Sequence, residues 1–274
     1  MLPWRAILLY SAGESGPPDP HEALVQKSKL NEVQDAPTRC GECPIREKAL
    51  FQVVADDYLH DAESRRTGQY RLDARHSLYQ EGAPAAMAYT LFDGWLLLYR
   101  THSDGSRQGL RVALPGDFVG YVPLGASSYS HSAMAITDVV FGGFRQTDLH
   151  AMIDGDSDIA HQITQIQSRY LATCESSVLG LGRKSAEERI AAAVDDLRRR
   201  LVLLEVMPPD GTDMPFPLTQ EMLGELTGLT PVHTNRVLRR LKETGVLSSA
   251  RNRIEILDLG RLSALGGSQA PRVP

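Results

Sequence analysis

The chain is short of cysteine, of long apolar runs and of net positive charge. Its 274 residues hold three cysteines, Cys40, Cys43 and Cys174. That is an odd number and too few to staple a secreted disulfide scaffold, so a reducing compartment is expected. No apolar run approaches the ~20 residues that cross a bilayer. Ile7-Leu8-Leu9 is too short for a signal-peptide core and is not followed by a small-residue cleavage pattern, which points to a cytoplasmic protein without a membrane partner. The eight histidines include no His-x-His pair, and no G-x-S-x-G nucleophile motif occurs. The chain is therefore expected not to be an enzyme. Its formal net charge is −5 and 42% of its residues are hydrophobic, which suits a soluble chain of about two ordinary domains.

What is present is concentrated between Leu218 and Leu247, in LTQEMLGELTGLTPVHTNRVLRRLKETGVL. Thr219 suits an N-cap, and Met222, Leu223 and Leu226 give a short first helix its apolar stripe. Gly228 allows a tight turn. Thr230 caps a second helix, Pro231 fits its first position, and Gly245 stands where it should stop. At 100° per residue, Thr234, Val237, Leu238 and Leu241 share one side of that helix, with Asn235, Arg236 and Arg239 opposite. This is the pattern of a helix-turn-helix whose second helix lies on double-stranded DNA. Arginine can bond two acceptors on guanine, and asparagine can do the same for adenine. His233 and Arg240 on the flanks, and Thr219 and Thr230 at the helix starts, suit backbone contact.

Ser248 to Ile256 then reads as a β-hairpin wing whose Arg251 and Arg253 can meet the DNA backbone beside the recognition helix. Residues 231–253 carry six Lys or Arg against the single acid Glu243, so positive charge is local in an acidic chain. A plain amphipathic helix with solvated arginines is the bland alternative. The caps, the glycine turn and the basic outer stripe together favour DNA.

Upstream, residues 1–39 are rich in Gly, Pro and polar residues and read as a flexible extension, with at most a short helix near Glu22 to Leu30. From Gln69 to Phe144, short apolar runs punctuated by Gly82, Asp93-Gly94, Asp104-Gly105 and Pro115-Gly116-Asp117 suggest a β-barrel, sandwich or jelly roll. A long helix is expected from about Ser157 to Leu181. It carries one stripe of Ile159, Ile163, Ile166 and Tyr170 and an adjacent one of Leu171, Cys174, Val178 and Leu181, spaced for a dimer seam. Gly180 and Gly182 interrupt that pattern. Ser185 and Glu188 then form a capping-box signature for a helix through about Leu204.

This order, with Tyr79-Gln80-Glu81-Gly82, Leu114-Pro115-Gly116-Asp117-Phe118-Val119-Gly120 and Gly182-Arg183-Lys184-Ser185-Ala186-Glu187-Glu188-Arg189-Ile190, resembles the superfamily of the cyclic-AMP receptor protein and the fumarate-nitrate reductase regulator. The resemblance spans roughly Cys40 to Leu259. It implies an α+β fold: a β-roll of the cyclic-nucleotide-binding kind (40–155), a dimerisation helix (156–182), a winged helix-turn-helix (183–265) and a tail (266–274). It also implies a homodimer on a palindromic site, recruitment of RNA polymerase, and activation. Arg236 matches the arginine that the family places on a guanine, whereas Val232 replaces a glutamate usual there.

Members that bind cyclic AMP carry a glutamate and an Arg-Ser pair whose places here hold Tyr121 and His131-Ser132. Neither can reproduce the lost anchor, so cyclic AMP is not the expected effector. Cys174 falls where such members have a threonine at the adenine, making Tyr121, His131, Ser132 and Cys174 the candidate pocket. Cys40 and Cys43 resemble the cysteine cluster that holds an iron–sulfur cluster in oxygen-sensing relatives, which commonly needs four thiolates. A remnant comes first; zinc completed by His60, His76 or a dimer mate, a redox dithiol and an iron–sulfur cluster stay open. A cupin-like metal enzyme, with histidines and a carboxylate converging in the roll, is the remote alternative.

Overall fold

The computed structural model describes residues 31–32, 39–43, 45–53 and 59–267. The N-terminal extension, with its expected helix, therefore lies almost wholly outside the described residues, as does most of the tail. Two antiparallel sheets form the roll. One has the order β1 (Asn31–Glu32), β2 (Arg66–Leu72), β9 (Val139–Arg145), β4 (Met87–Asp93), β7 (Phe118–Val119); the other runs β3 (Ser77–Tyr79), β8 (Ser132–Ala135), β5 (Leu96–Thr101), β6 (Arg107–Ala113). The β4–β5 turn needs Gly94, whose φ is +83°. A Cβ there would collide with the Asp138 carbonyl oxygen.

Leu96, Leu97 and Leu98 are all buried, because this sheet is covered on both faces and period-2 alternation is lost. Leu96 and Leu98 join Leu72, Leu91 and Phe141 inside the roll. Leu97, with Trp95, Val112 and Leu114, faces the other way into a core shared with Ile190, Val194, Leu223 and Leu241 of the C-terminal part. The roll and the helix-turn-helix thus rest on one continuous apolar layer.

A short helix α1 (Leu59–Ser64) precedes the roll, and α2 (Gln146–Gly155) follows it. The long helix α3 spans Ser157–Arg183, capped by Asp156, whose carboxylate accepts from Asp158 N and Ile159 N. Its first stripe, Ile159, Ile163 and Ile166, packs under Phe118, Phe144 and Leu50. Leu171, Cys174, Val178 and Leu181 stand exposed. The two stripes separate as the spacing predicts. The helix runs two residues past its expected end at Leu181 and takes in Gly180 and Gly182: each glycine costs about 1 kcal/mol relative to alanine, too little to end 27 residues of regular hydrogen bonding. Helix α4 (Ala186–Leu203) starts at the expected capping box, with Ser185 Oγ accepting from Glu188 N and Glu188 Oε2 accepting from Ser185 N.

Candidate nucleic-acid interface

Helix α5 (Gln220–Thr227) and helix α6 (Pro231–Glu243) form the helix-turn-helix. Each of its local signals is met. Thr219 Oγ1 accepts from Met222 N at 3.2 Å, Gly228 turns with φ +64°, and Thr230 Oγ1 accepts from His233 N at 3.2 Å. The turn is tight. Gly224 in α5 faces the Leu229 carbonyl, where a Cβ would lie 2.5 Å from the oxygen and 3.1 Å from Thr234 Oγ1.

Thr234, Val237, Leu238 and Leu241 are the buried residues of α6. Burying each of the three aliphatic side chains is worth about 1.5–3 kcal/mol, enough to fix which face turns outward. Val232, His233, Asn235, Arg236, Arg239 and Arg240 form the exposed face. The wing is β11 (Leu247–Ala250) and β12 (Arg253–Ile256), joined by Arg251 and by Asn252 at φ +58°. A third strand, β10 (Asp213–Pro215), pairs with β12; at three residues ending in proline it carries no strand signature in the sequence.

The basic residues fall into two groups. Arg236 and Arg251 are exposed and have no hydrogen-bond or ion-pair partner among the described residues, and Arg239 has only an exposed Glu243 at 3.6 Å. Such surface pairs are weak and exchange readily for phosphate. Arg240 and Arg253, in contrast, are engaged. Arg240 Nε meets Glu187 of α4 at 2.8 Å. Arg253 grips the Asp213 carboxylate through Nε at 2.7 and 2.9 Å and Nη2 at 2.6 Å, which holds that carboxyl below its ordinary range. Both arginines remain half or more exposed, so these pairs leave them on the outer face with Arg236, Arg239 and Arg251. Asn235 Nδ2 donates to Gln220 Oε1 at 3.1 Å, a partnership of α6 with α5 that spacing alone does not reveal.

In the roll, the contacts of Tyr121 are distinct from those of the adjacent His131 and Ser132. Tyr121 is half-buried beside Phe118 and His150. Ser132 Oγ accepts from Glu81 N at 2.9 Å. His131 Nε2 lies 2.9 Å from the Tyr79 hydroxyl and Nδ1 lies 3.1 Å from Ser130 Oγ. Burial, with Arg111 nearby, drives the His131 pKa down to about 4, while burial pushes the Tyr79 phenol far above its ordinary value. The Tyr79 phenol therefore stays protonated beside a neutral imidazole. Tyr79 also stacks on Tyr129 at 4.2 Å and on Tyr89 at 6.3 Å, so aromatic rings fill the space around His131. Cys174 is exposed on α3.

Sequence reasoning missed Asp117, seen only as part of a turn. Its Oδ2 accepts from Leu114 N at 2.8 Å and meets Arg200 Nη2 of α4 at 2.6 Å and Arg111 Nη1 at 3.4 Å; its Oδ1 lies 3.5 Å from the Tyr170 hydroxyl of α3. Arg111 stacks over the Tyr170 ring at 3.6 Å. One carboxylate thereby joins roll, long helix and DNA-facing unit. Arg107 Nε likewise meets Glu225 Oε1 of α5 at 2.7 Å, and Gln108 Nε2 donates to the Glu225 carbonyl at 2.7 Å. Only long-range contacts reveal these residues.

Cys40 opens a short 3₁₀ turn, Cys40–Glu42, and Cys43 follows it as a free, half-buried thiol. No group of three or more His, Cys, Asp or Glu side chains that could hold a metal ion occurs among the described residues. The pair supplies half of a four-thiolate set.

A β-roll resting on a winged helix-turn-helix that presents Asn235 and Arg236 outward defines a DNA-binding transcription regulator rather than an enzyme. Residues 188–265 match the Crp-like helix-turn-helix domain and residues 70–156 the cyclic nucleotide-binding domain. The chain belongs to the Crp–Fnr superfamily of transcriptional regulators. It is 28% identical over 244 residues to the transcriptional activator protein FnrL of Cereibacter sphaeroides, covering 88% of this chain and 97% of that protein. It is 27% identical to the nitrogen fixation regulation protein FixK of Bradyrhizobium diazoefficiens, covering 84% and 94% respectively. The solved structure of FixK2 from Bradyrhizobium japonicum aligns with a TM-score of 0.67 and 28% identity, covering 75% of this chain and 99% of that one. Among the described residues no helix is long and apolar enough to cross a membrane.

Proposed function

We propose that the protein is a homodimeric activator that binds a palindromic site through α6 and is not controlled by cyclic AMP. Residues 40–155 act as the sensor roll, 156–182 as the dimer helix and 183–265 as the DNA-binding domain. The observation that carries this reading is the exposed stripe of α3. Leu171 is 61% and Val178 71% exposed, in line with Cys174 and Leu181. Apolar residues at this spacing call for a partner helix, and a two-fold copy supplies one. A two-fold dimer places two recognition helices on successive major-groove segments of an inverted repeat. Two relatives named as activators favour activation over repression, and the protein would act by recruiting RNA polymerase.

The neutral, aromatic-packed His131 supports the loss of cyclic-nucleotide control, because it offers no cation to a cyclic phosphate at neutral pH. Sedimentation with mobility shifts tests the dimer: Val178→Asp is expected to give a monomer that loses most of its DNA affinity. Calorimetric binding of cyclic AMP or cyclic GMP at low-micromolar affinity would contradict the sensor reading.

A redox or metal role is the second reading, favoured by Cys174 lying exposed on the proposed seam and by the free Cys43, three positions after Cys40 in the sequence. Cys174→Ser responding to oxidant as wild type does would remove the first thiol from it. Iron and sulfide analysis of anaerobically purified protein addresses the pair.

A further inference from the structure

We infer that Gln220 is a specificity-positioning residue: it holds the Asn235 side chain as a reader of adenine. The inference rests on the reading of α6 as the DNA-facing helix. Gln220 is the first residue of α5 and Asn235 sits mid-way along α6, fifteen positions later. Their side chains meet because the two helices cannot shift relative to each other. Met222 and Leu223 of α5 are buried against Val237, Leu238 and Leu241 of α6. Gly224 lets the Leu229 carbonyl come within contact distance, and Leu229 N donates to Gly224 O at 2.9 Å.

An exposed asparagine ordinarily samples several rotamers and both orientations of its amide. Here one N–H of Nδ2 is held by Gln220 Oε1 at 3.1 Å. That leaves Asn235 its second N–H and its carbonyl oxygen, side by side in a fixed plane. One donor beside one acceptor is the pattern complementary to N7 and the N6 amino group of adenine in the major groove. Guanine offers two acceptors there and cytosine only a donor, so neither matches. Gln220 makes no base contact in this scheme. It acts by sparing Asn235 the entropy of ordering on binding.

The test starts from the sites selected by wild-type protein and measures affinity for operators carrying each of the four base pairs at every half-site position. Asn235→Ala should flatten a preference for adenine at one position. Gln220→Ala should weaken discrimination at that same position by about 2- to 10-fold and leave the other positions alone. In the Asn235→Ala background it should have no further effect. Gln220→Glu keeps the accepting oxygen, so it should retain the discrimination while lowering affinity for all sequences together. Both side chains are exposed, and circular dichroism checks that the variants fold. If Asn235→Ala alters no position, the base-reading role of Asn235 fails, and the inference with it. If Asn235→Ala flattens a position that Gln220→Ala leaves intact, or if Gln220→Ala weakens all four bases equally, the positioning role alone is overturned.

Discussion

Replacing Asp117 by alanine should be among the most damaging single changes in the chain. The carboxylate takes hydrogen bonds from Leu114 N and Arg200 and ion-pairs with Arg111. Removing it leaves Arg111 without a carboxylate, whereas Arg200 keeps its 2.7 Å bond to the Val112 carbonyl and Asp196 at 4.0 Å. Arg200 is 25% exposed and can turn partly to solvent, but Arg111 is 10% exposed and pinned over the Tyr170 ring. Breaking a buried pair costs about 3–5 kcal/mol because a charge is left uncompensated. Asp117 itself is 20% exposed, and that solvent access argues for the lower end, about 3 kcal/mol. At about 2–4 °C per kcal/mol for a chain somewhat below this size, the melting temperature should fall by about 6–12 °C. Asp117→Asn keeps one acceptor for Leu114 N but places an amide N–H near a guanidinium, so it should recover less than half of the loss. Urea titration followed by both far-UV circular dichroism and tryptophan fluorescence reads the effect. A change under about 0.5 kcal/mol for Asp117→Ala would show the network to be an ordinary surface ion pair, and the reasoning would be wrong.

Two further outcomes follow from the same structure. His131 has a folded pKa of about 4 against about 6.5 unfolded, so the unfolded chain binds its proton first. Stability should be flat above about pH 7 and fall by about 3 kcal/mol between pH 6.5 and 4; His131→Gln should remove that part of the acid sensitivity in pH-dependent melts, and an unchanged acid profile would count against it. Gly224→Ala should separate α5 from α6, lowering stability by about 1–3 kcal/mol and DNA affinity with it, whereas a wild-type melt would mean that the turn relaxes freely.

The parts legible in the sequence are those whose cause is local. Thr219, Gly228, Thr230, Pro231 and Gly245 each act within a turn of their own position, and the four buried residues of α6 follow from its period alone. The two stripes of α3 were legible for the same reason. Its end was legible to within two residues, Gly180 and Gly182 weakening the helix without ending it before Arg183. What escaped depends on partners distant in the chain. The ion pairs of Arg253 with Asp213, forty residues earlier, and of Arg240 with Glu187 could not be read from spacing. Asp117, Glu225 and Gln220 carry their roles through pairs that no periodicity encodes.

The central claim, that the outward face of α6 reads DNA from a two-fold dimer, is tested most directly by selecting binding sites from random duplexes with wild-type protein and with Arg236→Ala. The account predicts an inverted repeat whose half-sites lie about 10–10.5 base pairs apart, or a multiple of that. It also predicts that Arg236→Ala relaxes one guanine in each half-site, at a cost of about 1–3 kcal/mol. No enriched repeat, or an identical sequence preference from both proteins, would contradict it.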